Sequence, residues 1–193
     1  DKLGLNVACK EAFTDDNKAD LSTQVTKCQE AGCDLIFLPI YTAEAAQILT
    51  YANKIGYNPK FFGCDGLDGI LGVEGFDAKL AEGVMLLTPF DATATDAKTA
   101  AFVKNYTENY GITPNLFAAD SYDVVYAIYA ACTFGHVTAD MSAEEICQIM
   151  IQQFTTMSFD GLTGAAMTWG TDGAVSKAPK AVVIQNGIYV GMD

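Results

Sequence analysis

The feature that most constrains the fold is the alternation of strand-like and helix-like segments through residues 1–90. Asp34-Leu35-Ile36-Phe37-Leu38 carries a continuous apolar run, the pattern of a strand covered on both faces. It is flanked by two amphipathic stretches. Asp20 is placed to cap the first, in which Leu21, Val25 and Cys28 recur at helical spacing until Gly32. Thr42 is placed to cap the second, with Ala45, Leu49, Ala52 and Ile55 on one face and Gly56 at its end. Leu3-Gly4-Leu5-Asn6-Val7, continuing by alternation through Cys9 to about Glu11, predicts an earlier strand. Phe61-Phe62-Gly63 predicts a third, and Gly83 to Thr88 a fourth. Connections this short between strands and helices require parallel strands, right-handed crossovers and helices on both sides of a sheet.

From Asp96 to about Ser158 the pattern becomes helical only. Helices are predicted over 97–110, ended by Gly111, over 115–134, and from Ser142 to about Phe154. Ser142 with Glu145 spells a capping box. The middle helix is apolar nearly all round, through Val124, Val125, Tyr126, Ile128, Tyr129 and Ala130. Such a helix should be buried, yet this stretch holds no strand for it to cover. Ala165 to Trp169 and Ala181 to Val190, with turns at Thr171-Asp172-Gly173 and Asn186-Gly187, return the chain to hairpin-like strand. Three blocks result: 1–90 α/β, 91–160 helical, and 161–193 strands returning to the first block.

Composition narrows the partners. The formal net charge is −13 and all eleven basic residues are lysines. Without a guanidinium fork there is no bidentate reading of phosphates or base edges. An acidic surface repels polyanions and anionic bilayers, which argues against nucleic acid and anionic membrane surfaces as partners. Half the residues are hydrophobic, enough for a sizeable core. The longest uninterrupted apolar run, Val124–Cys132, has nine residues, against the roughly 18 or more of a spanning helix. No signal peptide is read at Asp1, and the early strand gives the chain the look of a fragment. Six cysteines contain no C-x-x-C pair. They read either as free thiols packed like small hydrophobes or, for Cys28 and Cys33, as a disulfide across a helix end.

In an open parallel sheet, ligands bind beyond the carboxyl ends of the strands. That rule selects three loops: Pro39-Ile40-Tyr41-Thr42, Cys64-Asp65-Gly66 and Pro89-Phe90-Asp91. Tyr41 offers a ring and a hydroxyl to a small polar-headed ligand, or packs on the sheet edge. Asp65 offers a carboxylate to an ammonium group, or caps the turn that follows. The glycines at 69, 72 and 75 lack dinucleotide-binding spacing, and neither a phosphate-binding loop nor a nucleophile elbow occurs. Asp65 and Asp68 make half a calcium loop, but the twelfth position is Phe76 rather than glutamate. His136 reads as a surface turn. No catalytic residue, metal or cofactor is implied.

The ordered segments DLSTQVTKCQEAGCDLIFLPIYTAEAAQIL, FFGCDGLDG, EGVMLLTPF, FVKNYTENYGITPNLFAADSYDVVYAIYAA and FDGLTGAAMTWGTDGAV together resemble the type I periplasmic binding proteins, the amino-acid-binding branch of ABC-transporter solute receptors. The resemblance covers the whole chain. It implies an α/β, Rossmann-like parallel-sheet lobe, the second of that fold, joined to the helical part of an incomplete first lobe. It implies a two-lobed receptor that captures a small zwitterion such as an aliphatic amino acid in an interlobe cleft and presents it to a membrane permease, without chemistry. Asp65 stands where members hold the ligand ammonium, and Tyr41 where a tyrosine lines the same cleft. Phe90 and Tyr122 are further candidates. Location would be extracytoplasmic, as a periplasmic or lipid-anchored protein. Members are roughly twice as long, so residues 96–158 are expected to need the missing N-terminal half, or a second copy of the chain, to cover them. A ligand-sensing domain of a signalling receptor or regulator on the same fold, and a doubly wound enzyme, are the rival readings.

Overall fold

The structure is a computed structural model and describes residues 4–192. Contacts divide the chain into two compact units: the chain up to Thr88 together with that from Ala181 onward, and Pro89–Lys180.

The first unit is a five-stranded sheet with helices. Its elements are α1 (Ser22–Glu30), β1 (Leu35–Leu38), α2 (Thr42–Lys54), β2 (Lys60–Gly63), β3 (Met85–Thr88), β4 (Lys180–Gln185) and β5 (Ile188–Gly191), in the order β1-β2-β3-β4-β5 across the sheet. β1, β2 and β3 are parallel, with Leu38 opposite Gly63 and Gly63 opposite Leu86. β4 and β5 form an antiparallel hairpin. The Asn186-Gly187 turn has φ of 53° and 75°, the left-handed pair that a two-residue hairpin loop requires. The Glu82 carboxylate accepts the Asn186 N–H at 2.9 and 3.1 Å and ties that turn to the approach to β3.

The core lies on one face of this sheet. Leu38, Val84, Leu86, Val182 and Ile184 pack there against Leu21 and Val25 from α1 and its approach, and Ala45, Ile48, Leu49 and Ala52 of α2. The expectation of helices on both sides is therefore corrected: α1 and α2 share one core cluster. On the opposite face Leu35 and Phe37 are exposed, Phe37 at 51%. The Phe37 and Phe62 rings stack there with centroids 5.6 Å apart. The apolar run of β1 is thus covered on one face only.

The early strand is also corrected. Leu3 lies outside the described residues. From Gly4 to Glu11 no strand forms, and Leu5 and Val7 are exposed. Alternation supplies a two-faced segment, but a strand exists only when another edge receives its N–H and C=O groups. The caps lie one residue from the expected positions, at Leu21 and Tyr41. Asp20 Oδ1 accepts the Ser22 N–H at 2.9 Å. Thr42 is the first residue of α2 rather than its cap, and Tyr41 holds the cap position without a side-chain bond.

The second unit holds α3 (Ala97–Tyr110), α4 (Leu116–Phe134) and α5 (Ala143–Thr156). Asp96 and Asn115 cap the first two through the N–H groups of Thr99 and Ala118, at 2.9 and 3.2 Å. Ser142 and Glu145 complete the capping box of α5. Leu116, Ala119, Asp123, Ala127 and Ala131 form the single buried stripe of α4. Val124, Val125, Ile128 and Tyr129 are exposed, Val125 at 65%, so the helix read as wholly apolar is covered along one side only.

Residues 161–180 belong with these helices rather than with the sheet, and the return to the first unit begins at Ala181. Asp123 is one of the ties. Its buried carboxylate accepts the N–H groups of Leu162 (2.7 Å) and Thr163 (2.9 Å) and the Thr163 hydroxyl (2.7 Å). A Cβ on Gly161 would collide with that carboxylate. The stretch read as strand near 165–169 forms only isolated bridges, Phe159 with Met167 and Trp169 with Val175.

Removing a buried charged acceptor strands its donors, at about 1–3 kcal/mol for each group left unpaired. Asp123→Ala is expected to lower unfolding stability by about 3 kcal/mol in urea titration; a change under about 0.5 kcal/mol would contradict the anchoring role.

Candidate functional site

The parallel register brings the ends of β1 and β2 side by side, Leu38 against Gly63. The loops that follow therefore leave the sheet together. Gly66 decides how closely they meet. A Cβ built on it would lie 2.5 Å from the Ile40 carbonyl oxygen and 3.4 Å from Cδ1 of Tyr41. Only a residue without a side chain permits this approach. Gly63 is equally constrained, since its Cβ would collide with the Leu67 side chain.

Asp65 opens a 3₁₀ turn, Asp65–Leu67, and is exposed. Its Oδ1 accepts the Gly66 N–H at 3.0 Å, so the turn-capping role is present. The same carboxylate stands at the surface beside the Tyr41 loop. Tyr41 is 70% exposed, which replaces the alternative of packing on the sheet edge. Asp65 and Tyr41, far apart in sequence, thus flank one contact within the first unit. An exposed carboxylate and an exposed phenol ring on adjoining loops suit a small cation carrying an apolar tail.

A residue not singled out from the sequence fixes this loop. Tyr189, on β5, accepts the Gly69 N–H on its hydroxyl oxygen at 2.9 Å. Burial first, and then the charge of Asp68, push its hydroxyl above the ordinary tyrosine value of 10.0 to about 12. Asp68 itself is buried; its position as half of a calcium loop gave no sign of that. No local pattern announces Tyr189, because its partner lies 120 residues earlier.

The other two candidates lie in the second unit. Phe90, a further candidate, lies in the core of this unit. It is only 4% exposed and packs with Leu116, Ala119 and Leu162, its ring edge-on to Phe102 at 6.0 Å. The α3–α4 core claims the ring that loop position alone had offered to a ligand. Tyr122 is half-buried in a run of aromatic rings, 5.0 Å from Phe102 and 4.6 Å from Tyr126. Burial and then Tyr126 raise its hydroxyl above the usual tyrosine range. Two cavities of about 300 and 370 Å³ occur in this unit, both bordered by Phe154 and Trp169. Neither includes Tyr41 or Asp65, and their walls are mainly apolar side chains of α4 and α5. His136 sits in an exposed turn with φ of 52°.

The sequence profile of the periplasmic binding protein family matches residues 1–187. The chain belongs to the periplasmic binding protein family. No curated protein matches it in sequence. Among solved structures of this family's fold, similarity extends to the leucine binding protein LivK of Thermotoga maritima. That match has 22% identity, covers 95% of this chain and 51% of that one, and has a TM-score of 0.78. An extracellular ligand-binding receptor of Rhodopseudomonas palustris matches at 22% identity over 100% of this chain and 56% of its own, with a TM-score of 0.83. The branched-chain amino acid transporter substrate binding protein LivJ of Streptococcus pneumoniae, solved with isoleucine, matches at 26% over 93% and 51%, with a TM-score of 0.75. The chain thus has the type I periplasmic binding protein fold and spans about half the length of these proteins. Among the described residues no helix is long and apolar enough to cross a membrane.

Because the Tyr189 hydroxyl is raised in the folded chain, its contribution to stability is complete below pH 10 and is lost as pH rises towards about 12. Two pH units correspond to at most about 2.7 kcal/mol. Tyr189→Phe should remove that part of the alkaline loss of stability, measured as urea midpoints from pH 9 to 12; parallel profiles for the two proteins would contradict it.

Proposed function

We propose that this periplasmic binding protein is part of an extracytoplasmic solute receptor for a small zwitterion, an aliphatic amino acid in the first instance. The observation that carries the reading is the close approach of Gly66, the neighbour of Asp65, to Ile40 and Tyr41 at the carboxyl ends of β1 and β2. Asp65 receives the ligand ammonium in a charge-assisted hydrogen bond, and the Tyr41 ring shields the aliphatic part. Tyr122 remains a candidate ligand contact. The fold relatives support the ligand class: one is a leucine binding protein and another was solved with isoleucine.

The receptor performs no reaction. Ligand binding is used to bias an equilibrium between conformations, and a membrane permease of an ABC importer reads the bound one. The acidic, arginine-free surface fits a protein that meets neither nucleic acid nor an anionic bilayer. The bare apolar faces, Leu35 and Phe37 on the sheet and Val125 and Ile128 on α4, are covered by further chain of the same protein or by a second copy.

A charged hydrogen bond of about 1.5–3 kcal/mol corresponds to roughly 10- to 150-fold in affinity. A thermal-shift panel of amino acids on the full-length protein should show stabilisation by aliphatic members, largely lost in Asp65→Ala. Equal stabilisation of both proteins would remove the ammonium role from Asp65.

A further inference from the structure

The sulfurs of Cys9 and Cys28 lie 3.7 Å apart, the Cys28 thiol donating to Cys9 Sγ. The two residues are 19 positions apart along the chain. Cys28 is on α1, and Cys9 is on the neighbouring segment that enters no sheet. Other contacts hold the two strands of chain side by side. Lys27 Nζ pairs with Glu11 Oε2 at 2.9 Å, and Gln24 Nε2 donates to the Ala12 carbonyl at 3.2 Å. The Cys9 thiol is directed at Glu11 Oε1, 4.0 Å away. Both cysteines are partly accessible, whereas Cys132 packs its sulfur 3.8 Å from that of Met150 in the other unit.

We infer that Cys9 and Cys28 are a disulfide site: in an oxidising compartment they close into a bond that staples the 4–12 segment to α1. The sulfurs need approach only from 3.7 Å to about 2 Å. The oxidant is a small or protein disulfide, R–S–S–R, of the kind found outside the cytosol. The Cys9 sulfur, its proton released to water, attacks one sulfur of the oxidant, whose R–S⁻ leaves and is protonated. The Cys28 sulfur, deprotonated in turn, attacks Cys9 Sγ and expels the second R–S⁻, which is also protonated. Two thiols of the chain are oxidised, one disulfide is reduced to two R–SH, and the two protons balance. Burial first, and then the adjacent Cys9 thiol, push the Cys28 thiol up to about 12, which makes Cys9 the sulfur that meets the oxidant.

The folded chain must override a local preference. Cys28 and Cys33 are separated by only four residues, so in an unfolded chain their loop closes at lower entropic cost than the longer Cys9–Cys28 loop. Selection of Cys9 is therefore a mark of the native arrangement. It also differs from the 28–33 pairing that spacing alone suggests.

The test treats the chain with oxidised glutathione in native buffer and in urea, alkylates the remaining thiols and maps peptides by mass spectrometry. In native buffer a Cys9–Cys28 linked peptide should dominate in wild type and in Cys33→Ser, about 2 Da below the sum of its parts for the two hydrogens lost. It should vanish in Cys9→Ser and Cys28→Ser, and in urea it should yield to Cys28–Cys33. A native map dominated by Cys28–Cys33, by unlinked glutathione adducts on Cys9 and Cys28, or by unmodified thiols would overturn the inference. So would identical maps in native buffer and urea.

Discussion

The backbone of Gly66 rests against the carbonyl of Ile40, and the candidate site depends on that approach. Parallel pairing of β1 and β2 sets the two strand ends level. Gly66 then lets the second loop fold down onto the first, and the Tyr189 hydroxyl holds the loop further along at Gly69. Asp65 therefore reaches the surface on backbone fixed at several points. A carboxylate held this way loses little freedom on meeting a cation, which is the condition for a charged hydrogen bond to yield net affinity.

A second constraint is one-sided burial. In the first unit the sheet packs its core on one face and leaves Phe37 half exposed on the other. In the second, α4 buries one stripe of small and apolar residues and turns Val124, Val125, Ile128 and Tyr129 to solvent. Exposed apolar area on this scale marks surfaces that take a partner. The segment around Leu5 and Val7 fits the same account, being patterned as a strand without an edge to join. The chain spans about half the length of its structural relatives and leaves apolar residues exposed in both units.

What was legible in the sequence followed the range of the interactions. The Ser142–Glu145 box and the Asn186-Gly187 turn involve neighbours in sequence, so their chemistry is written locally. The helices of the second unit and the strands β1–β3 follow from periodicity and short loops. Features that needed a distant partner were not legible. Leu5 to Cys9 carries the alternation of a strand but lacks an edge. The β1 run is apolar on two faces and covered on one. Phe90 occupies a loop position that invites a ligand, yet Phe102 and Leu116 enclose it. Asp123 resembles any helical aspartate until Leu162 and Thr163 donate to it, a tie between α4 and the start of 161–180. Asp65 and Tyr41 are proposed on topology, since both follow strand ends; the approach of Gly66 to Ile40 and the Tyr189 anchor have no such local signal.

The central claim is that the carboxylate of Asp65 recognises a positively charged amino group. Its most direct measurement compares the affinity of the full-length protein for leucine with that for 4-methylpentanoate, the same molecule without the amino group. The wild type should prefer leucine by at least roughly tenfold, and Asp65→Ala should bind the two nearly alike. An undiminished preference in Asp65→Ala would contradict the account.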